Sequence, residues 1–154
     1  MRGSQLESKR FLILLVGVVL ATPTIAHSDS TKVSIEPERT LYGVGETASF
    51  TVTNDTGASI FLSGCGALQV QRFEAEAYSP EPGPQCVTEG TAIEVPPGTH
   101  TLSYTTEAKQ SGAILRAAVS YGWGCETGRE LSQARCDDFA TVYTASFRVS
   151  RKGS

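Results

Sequence analysis

Residues 47–53, Thr-Ala-Ser-Phe-Thr-Val-Thr, alternate polar and apolar side chains without a break. A period of two puts Ala48, Phe50 and Val52 on one face and the hydroxyl residues on the other, which a strand satisfies and a helix does not. The same alternation recurs, bounded each time by Gly, Pro, Asn or Asp, and no helical period appears after the N-terminal leader. Val33 and Ile35 share a face of Lys32–Glu36. Ser59–Ser63 and Leu68–Phe73 follow the turn at Asn54-Asp-Thr-Gly57, and Ala92–Val95 leads through Pro96-Pro97-Gly98 into Thr99–Tyr104. Ala113–Tyr121 puts Leu115, Ala117, Val119 and Tyr121 on one side. Phe139–Val149 reads as a single strand with Tyr143, Ala145, Phe147 and Val149 inward. Ser79–Gln85 holds three prolines in seven residues and is expected to be a loop. Residues 122–137 read as a Gly-rich, cysteine-bracketed excursion with room for a short helical turn over 126–135. Turn signals roughly every 8–12 residues predict an all-β, two-sheet β-sandwich of about 7–9 strands. A closed barrel would give a similar pattern.

The leader bears on compartment. Lys9 and Arg10 precede an uncharged apolar run of 11 residues, Phe11–Ala21, and Thr24-Ile25-Ala26 offers a small-x-small cleavage site, with Val19-Leu20-Ala21 as a rival. The run falls short of the ~20 apolar residues that cross a bilayer. The chain is therefore expected to meet the membrane only during export and to act in the periplasm or outside the cell. Cleavage after Ala26 divides it into a signal peptide (1–26), a flexible N-terminus (27–31), one domain (32–150) and a tail (151–154). Arg2, Lys9 and Arg10 leave with the leader against Glu7, so the remainder carries 10 basic and 15 acidic residues, a net charge of −5. That balance argues against nucleic acid as a partner, because phosphate-backbone binding needs clustered Lys and Arg.

Four cysteines, Cys65, Cys86, Cys125 and Cys136, form an even set in an exported chain and read as two disulfides. Spacings of 21 and 11 residues, with no C-x-x-C pair, suit zinc poorly. Of three connectivities, Cys65–Cys86 with Cys125–Cys136 is favoured because each staples one local loop.

The succession Tyr42-Gly-Val-Gly-Glu-Thr-Ala-Ser-Phe-Thr-Val-Thr-Asn54, Ile60-Phe-Leu62 and Val95-Pro-Pro-Gly-Thr99 resembles bacterial secreted immunoglobulin-like domains similar to the BsuPI-type proteinase-inhibitor domain. The resemblance covers roughly residues 33–149 and rests on sandwich punctuation. It implies a binding module rather than an enzyme, with proteinase inhibition as one form of binding. The four cysteines and the long 122–137 excursion depart from the family pattern.

Candidate chemistry is sparse. A hydrolase triad lacks its Gly-x-Ser-x-Gly elbow and has only His27 and His100 as bases, so no catalytic residue is assigned. Cleavage at Ala26 would make His27 the first residue, and its amine and imidazole nitrogens, joined by His100, would suit Cu(II). Copper is thus the one cofactor the sequence brings to mind. Tyr121-Gly-Trp-Gly-Cys125 offers the better binding candidate. Trp123 is the single tryptophan and, with Tyr121, stands at a strand end beside a cysteine loop, where it could anchor a protein or a glycan. The opposite expectation is that Trp123 folds back over the core edge. Ser79–Gln85 is the candidate inhibitory loop. Asn54-Asp-Thr56 has the form of an N-glycosylation acceptor and is expected to stay an unmodified turn.

Overall fold

The computed structural model describes residues 32–83 and 86–151. The leader, His27 and the rest of the N-terminus, Pro84-Gln85 and residues 152–154 lie outside them. A smaller sheet consists of β1 (Val33–Pro37), β3 (Thr47–Asn54) and β8 (Gly98–Thr105), antiparallel throughout, with β3 in the middle. The larger sheet is organised by β9 (Ile114–Trp123). Along one edge of β9 lie β4 (Ile60–Leu62) and then β5 (Leu68–Glu74); along the other lie β10 (Asp138–Tyr143) and β11 (Phe147–Val149). Outside these, β7 (Ile93–Val95) pairs with β4, β6 (Ala77–Pro80) pairs with β5, and β2 (Leu41–Tyr42) joins β11 in parallel. The two sheets face each other as an immunoglobulin-like β-sandwich rather than a closed barrel.

Most of the core consists of inward residues that alternation predicts. Phe50, Val52, Ile60, Leu62, Leu115, Val119 and Phe147 are completely buried. Phe147 centres the packing, edge-on to Tyr42 at 5.7 Å and to Phe50 at 5.4 Å. Each such side chain contributes about 1.5–3 kcal/mol against the entropy of ordering the strands. The cysteines pair as Cys65–Cys86 and Cys125–Cys136. Chain-entropy arithmetic for loops of this size gives about 3 kcal/mol for each closure.

Eleven strands stand where eight were read, through two short additions, β2 and β6, and one break. The break corrects the C-terminal reading. Tyr143 lies opposite Ala118 and Phe147 opposite Leu115, so three residues on one strand face two on β9. That is a β-bulge, and it reverses which side chains face the core. Thr144 fills the gap: Ala117 N donates to its Oγ1 and its own N donates to Ala117 O, both at 2.9 Å. Tyr143 and Ala145 are consequently exposed, while Phe147 and Val149 are buried as expected. A second correction concerns Ser79 and Pro80, read as loop but paired in β6. As an edge strand, β6 tolerates a proline that a central strand would not. The excursion after β9 begins two residues later than expected, and its helical content is one turn, in which Glu130 O accepts from Gln133 N and Ala134 N.

Asn54 is fully buried at the end of β3. Its Nδ2 donates to Ala58 O at 2.8 Å and Val95 O at 3.0 Å, and its Oδ1 accepts from Thr56 N and Thr56 Oγ1. The nitrogen that glycosylation would modify is thus committed to holding the turn. Near the start of β9, a mostly buried polar group ties the sandwich. Glu81 accepts from Arg72 Nε at 2.5 Å and from Gln110 Nε2 at 3.3 Å, and Gln110, itself fully buried, also reaches the Tyr104 hydroxyl. The Arg72 guanidinium holds the Glu81 carboxyl below its ordinary value, and burial pushes the Tyr104 phenol up.

Candidate binding face

Strand parity sends Leu115, Ala117, Val119, Tyr121 and Trp123 of β9 toward the core and Ile114, Arg116, Ala118, Ser120 and Gly122 outward. The register carries that outer face onto the neighbouring strands. Phe139, Thr141 and Tyr143 stand opposite Gly122, Ser120 and Ala118; Gln69 and Gln71 stand opposite Ala118 and Arg116. Beyond them Phe73 pairs with Tyr78, and Leu41 pairs with Arg148. This one face holds Leu41 (56% exposed), Phe73 (41%), Phe139 (53%) and Tyr143 (50%), four of the five large hydrophobic residues exposed among the described residues.

The face is built in two parts. At the end of β9 the Cys125–Cys136 disulfide lies over Gly122. A Cβ there would come within 2.8 Å of Cys125 Sγ and 3.0 Å of both Cys136 Sγ and the Phe139 ring, so only glycine fits. The disulfide and Phe139 thereby cover that end of the strand. Near the start of β9, the Arg116 guanidinium sits between two rings, 4.0 Å from the Tyr78 centroid and 4.2 Å from Tyr143. Its Nε donates to Gln71 Oε1 at 2.7 Å. Tyr78 reaches from β6 to hydrogen-bond Ser146 in the bulge at 2.6 Å, and its ring lies 5.1 Å from Phe73. Ser120 and Thr141 join the two parts through a 2.8 Å hydroxyl contact. Cation–π stacking of this kind contributes about 0.5–1 kcal/mol per ring at an exposed site. A groove of about 530 Å3 beside the clamp is lined by Leu41, Phe73, Tyr78, Ile114, Ser146 and Arg148.

The residues singled out from sequence lie elsewhere. Tyr121 is 2% exposed, within the core, and burial raises its phenol pKa. Trp123 is half-buried against the core, opposite Ile60 and 5.8 Å from Tyr121, on the side of β9 away from the exposed aromatics. His100 stands on β8 opposite Val52, half-buried on the core-facing side. His27 lies outside the described residues, and among those no group of three or more His, Cys, Asp or Glu is placed to hold a metal ion. No helix among them is long and apolar enough to cross a membrane. A second cleft, of about 580 Å3, opens between the disulfide loops beside Gln69, Ser120, Leu131 and Phe139. Its carboxylates are engaged, Glu81 with Arg72 and Glu89 with the backbone and hydroxyl of Ser132, which lower both below the usual carboxylate range.

Sequence reasoning missed Phe73, Tyr78, Arg116, Phe139 and Tyr143. The available signal was a parity conflict: Ala140 and Val142 demand one phase, Phe147 and Val149 the other. No family model matches the chain, and no curated protein matches it.

Proposed function

We propose that this chain is an extracytoplasmic, non-enzymatic binding module that holds a protein partner on the outer face of its larger sheet. One observation carries the reading: four of the five exposed large hydrophobics among the described residues share that face. Scattered single hydrophobics are ordinary on a surface, whereas a cluster rimmed by polar groups marks a contact site. Gln69, Gln71, Ser120 and Thr141 supply polar groups interspersed among the four hydrophobics. Two disulfides suit an oxidising compartment, in accord with the leader. A protein fits better than a sugar, because Tyr78 and Tyr143 each give a ring face to Arg116 that a pyranose would need for stacking. The test is recovery of a partner from the host's exported fraction by wild-type bait and by a Phe139→Ser, Tyr143→Ala double variant. The partner should be lost from the variant and retained by Trp123→Phe. Equal recovery on all three baits would remove the outer face from the site.

A further inference from the structure

Arg39, Arg72, Lys109 and Arg129 each pair with a glutamate. Arg135, in the excursion after β9, has no carboxylate within ion-pair distance among the described residues, and neither do Arg116 and Arg148. Both lie on the outer face of the larger sheet, whose outward strand positions include a single carboxylate, Glu94, opposite Phe61 near the disulfides. A chain with net charge −3 has thus gathered positive charge on the face that also gathers exposed apolar groups.

The geometry fixes what Arg116 has left to offer. Two rings lie against its guanidinium carbon, at 4.0 and 4.2 Å from their centroids, and Gln71 occupies Nε. The free edge is the pair of terminal nitrogens, a fork that matches the two oxygens of a carboxylate. Stacking removes water from the guanidinium and fixes its orientation beforehand, so little ordering cost falls on binding. The groove alongside, between Leu41, Phe73 and Ile114, has room for an aliphatic side chain.

Resting on the protein-binding reading above, we infer that the partner presents a segment with an Asp or Glu carboxylate on Arg116 and a neighbouring aliphatic side chain in the Leu41–Phe73 groove, with Arg148 at the rim. Charge complementarity selects an acidic–aliphatic peptide over a basic or purely apolar one.

The test uses random 12-residue peptides displayed on phage and selected against the disulfide-bonded protein. Enriched peptides should carry Asp or Glu within a few residues of Leu, Ile, Val or Met. A synthetic representative should bind about tenfold to hundredfold more weakly to Arg116→Met. Replacing the peptide's own acid with its amide should cost the wild type the same factor and the variant nothing further, which isolates the pair without relying on the variant's fold. Peptides that lose binding to Leu41→Ser but lack an acid would overturn the role of Arg116 and leave the outer face standing. Absence of enrichment, or peptides indifferent to both Leu41→Ser and Arg116→Met, would overturn both. Capture of oligogalacturonate with no peptide enriched would give the site to an acidic glycan and overturn the peptide.

Discussion

The outer faces of the two sheets cover one core and could hardly differ more. On the smaller sheet, Thr47 faces Thr105, Ser49 faces Ser103, Thr51 faces Thr101 and Thr53 faces Thr99. Every cross-strand pair on the outside of β3 and β8 is hydroxyl against hydroxyl. Threonine and serine there supply strand propensity and solubility, and leave little for a partner to grip. On the larger sheet the equivalent positions carry Phe73, Tyr78, Arg116, Phe139 and Tyr143. The fold needs neither choice, since both faces point away from the core. The contrast separates what the sandwich requires from what one sheet has added, and the addition is apolar, aromatic and cationic.

The largest effect expected on this comparison comes from Gly122→Val. The new side chain meets the Cys125–Cys136 disulfide and Phe139, and overpacking there should cost about 3 kcal/mol in urea unfolding. On the opposite sheet, Ser49→Val faces solvent and should cost far less. Acid should come next, and should not distinguish the two faces. Arg72 lowers the folded-state pKa of Glu81, so the unfolded chain takes up that proton more readily. The stability this pair supplies is complete above the ordinary carboxylate range, ~4.3, and is lost progressively as pH falls below it. Unfolding midpoints compared at about pH 6 and about pH 3 should show a shallower decline in Glu81→Gln than in wild type, with outer-face variants keeping the full slope.

Removing the clamp with Arg116→Met should cost about 1–2 kcal/mol, the sum of two exposed cation–π contacts. Its partner binding should fall by a larger factor than its stability. A gain is expected at the β5–β6 hairpin, where Ala75 and Glu76 both hold positive φ, 48° and 66°. That two-residue turn favours Asn-Gly, so Ala75→Asn with Glu76→Gly should stabilise by about 1 kcal/mol. It leaves Phe73 and Tyr78 in place. Smallest of all, Thr51→Ala with Thr101→Ala should move stability by no more than about 0.5 kcal/mol and binding not at all.

Much of the frame was legible in the residues themselves. The unbroken alternation of Thr47–Thr53 named its inward side chains, and the short cysteine spacings named both disulfides. The aromatic face was not legible, for a physical reason. One extra residue in 144–146 inverts the side-chain period, so a phase set by Phe147 and Val149 sends Tyr143 inward on paper and outward in the fold. For Trp123 the residues allowed two readings, an exposed anchor or a side chain folded back over the core edge, and the tryptophan takes the second, on the inward phase of β9, while Gly122 beside it admits a disulfide. Arg116 gave no sign, because its rings come from β6 and β10, 38 and 27 residues away in sequence.

The most direct measurement places a photo-crosslinking phenylalanine analogue at position 143 in one version of the protein and at position 101 in another, and irradiates both in the host's exported fraction. Adducts to a partner at 143, with none at 101, are the predicted result. Adducts of equal yield at both positions, or at 101 alone, would contradict the assignment of binding to the aromatic face.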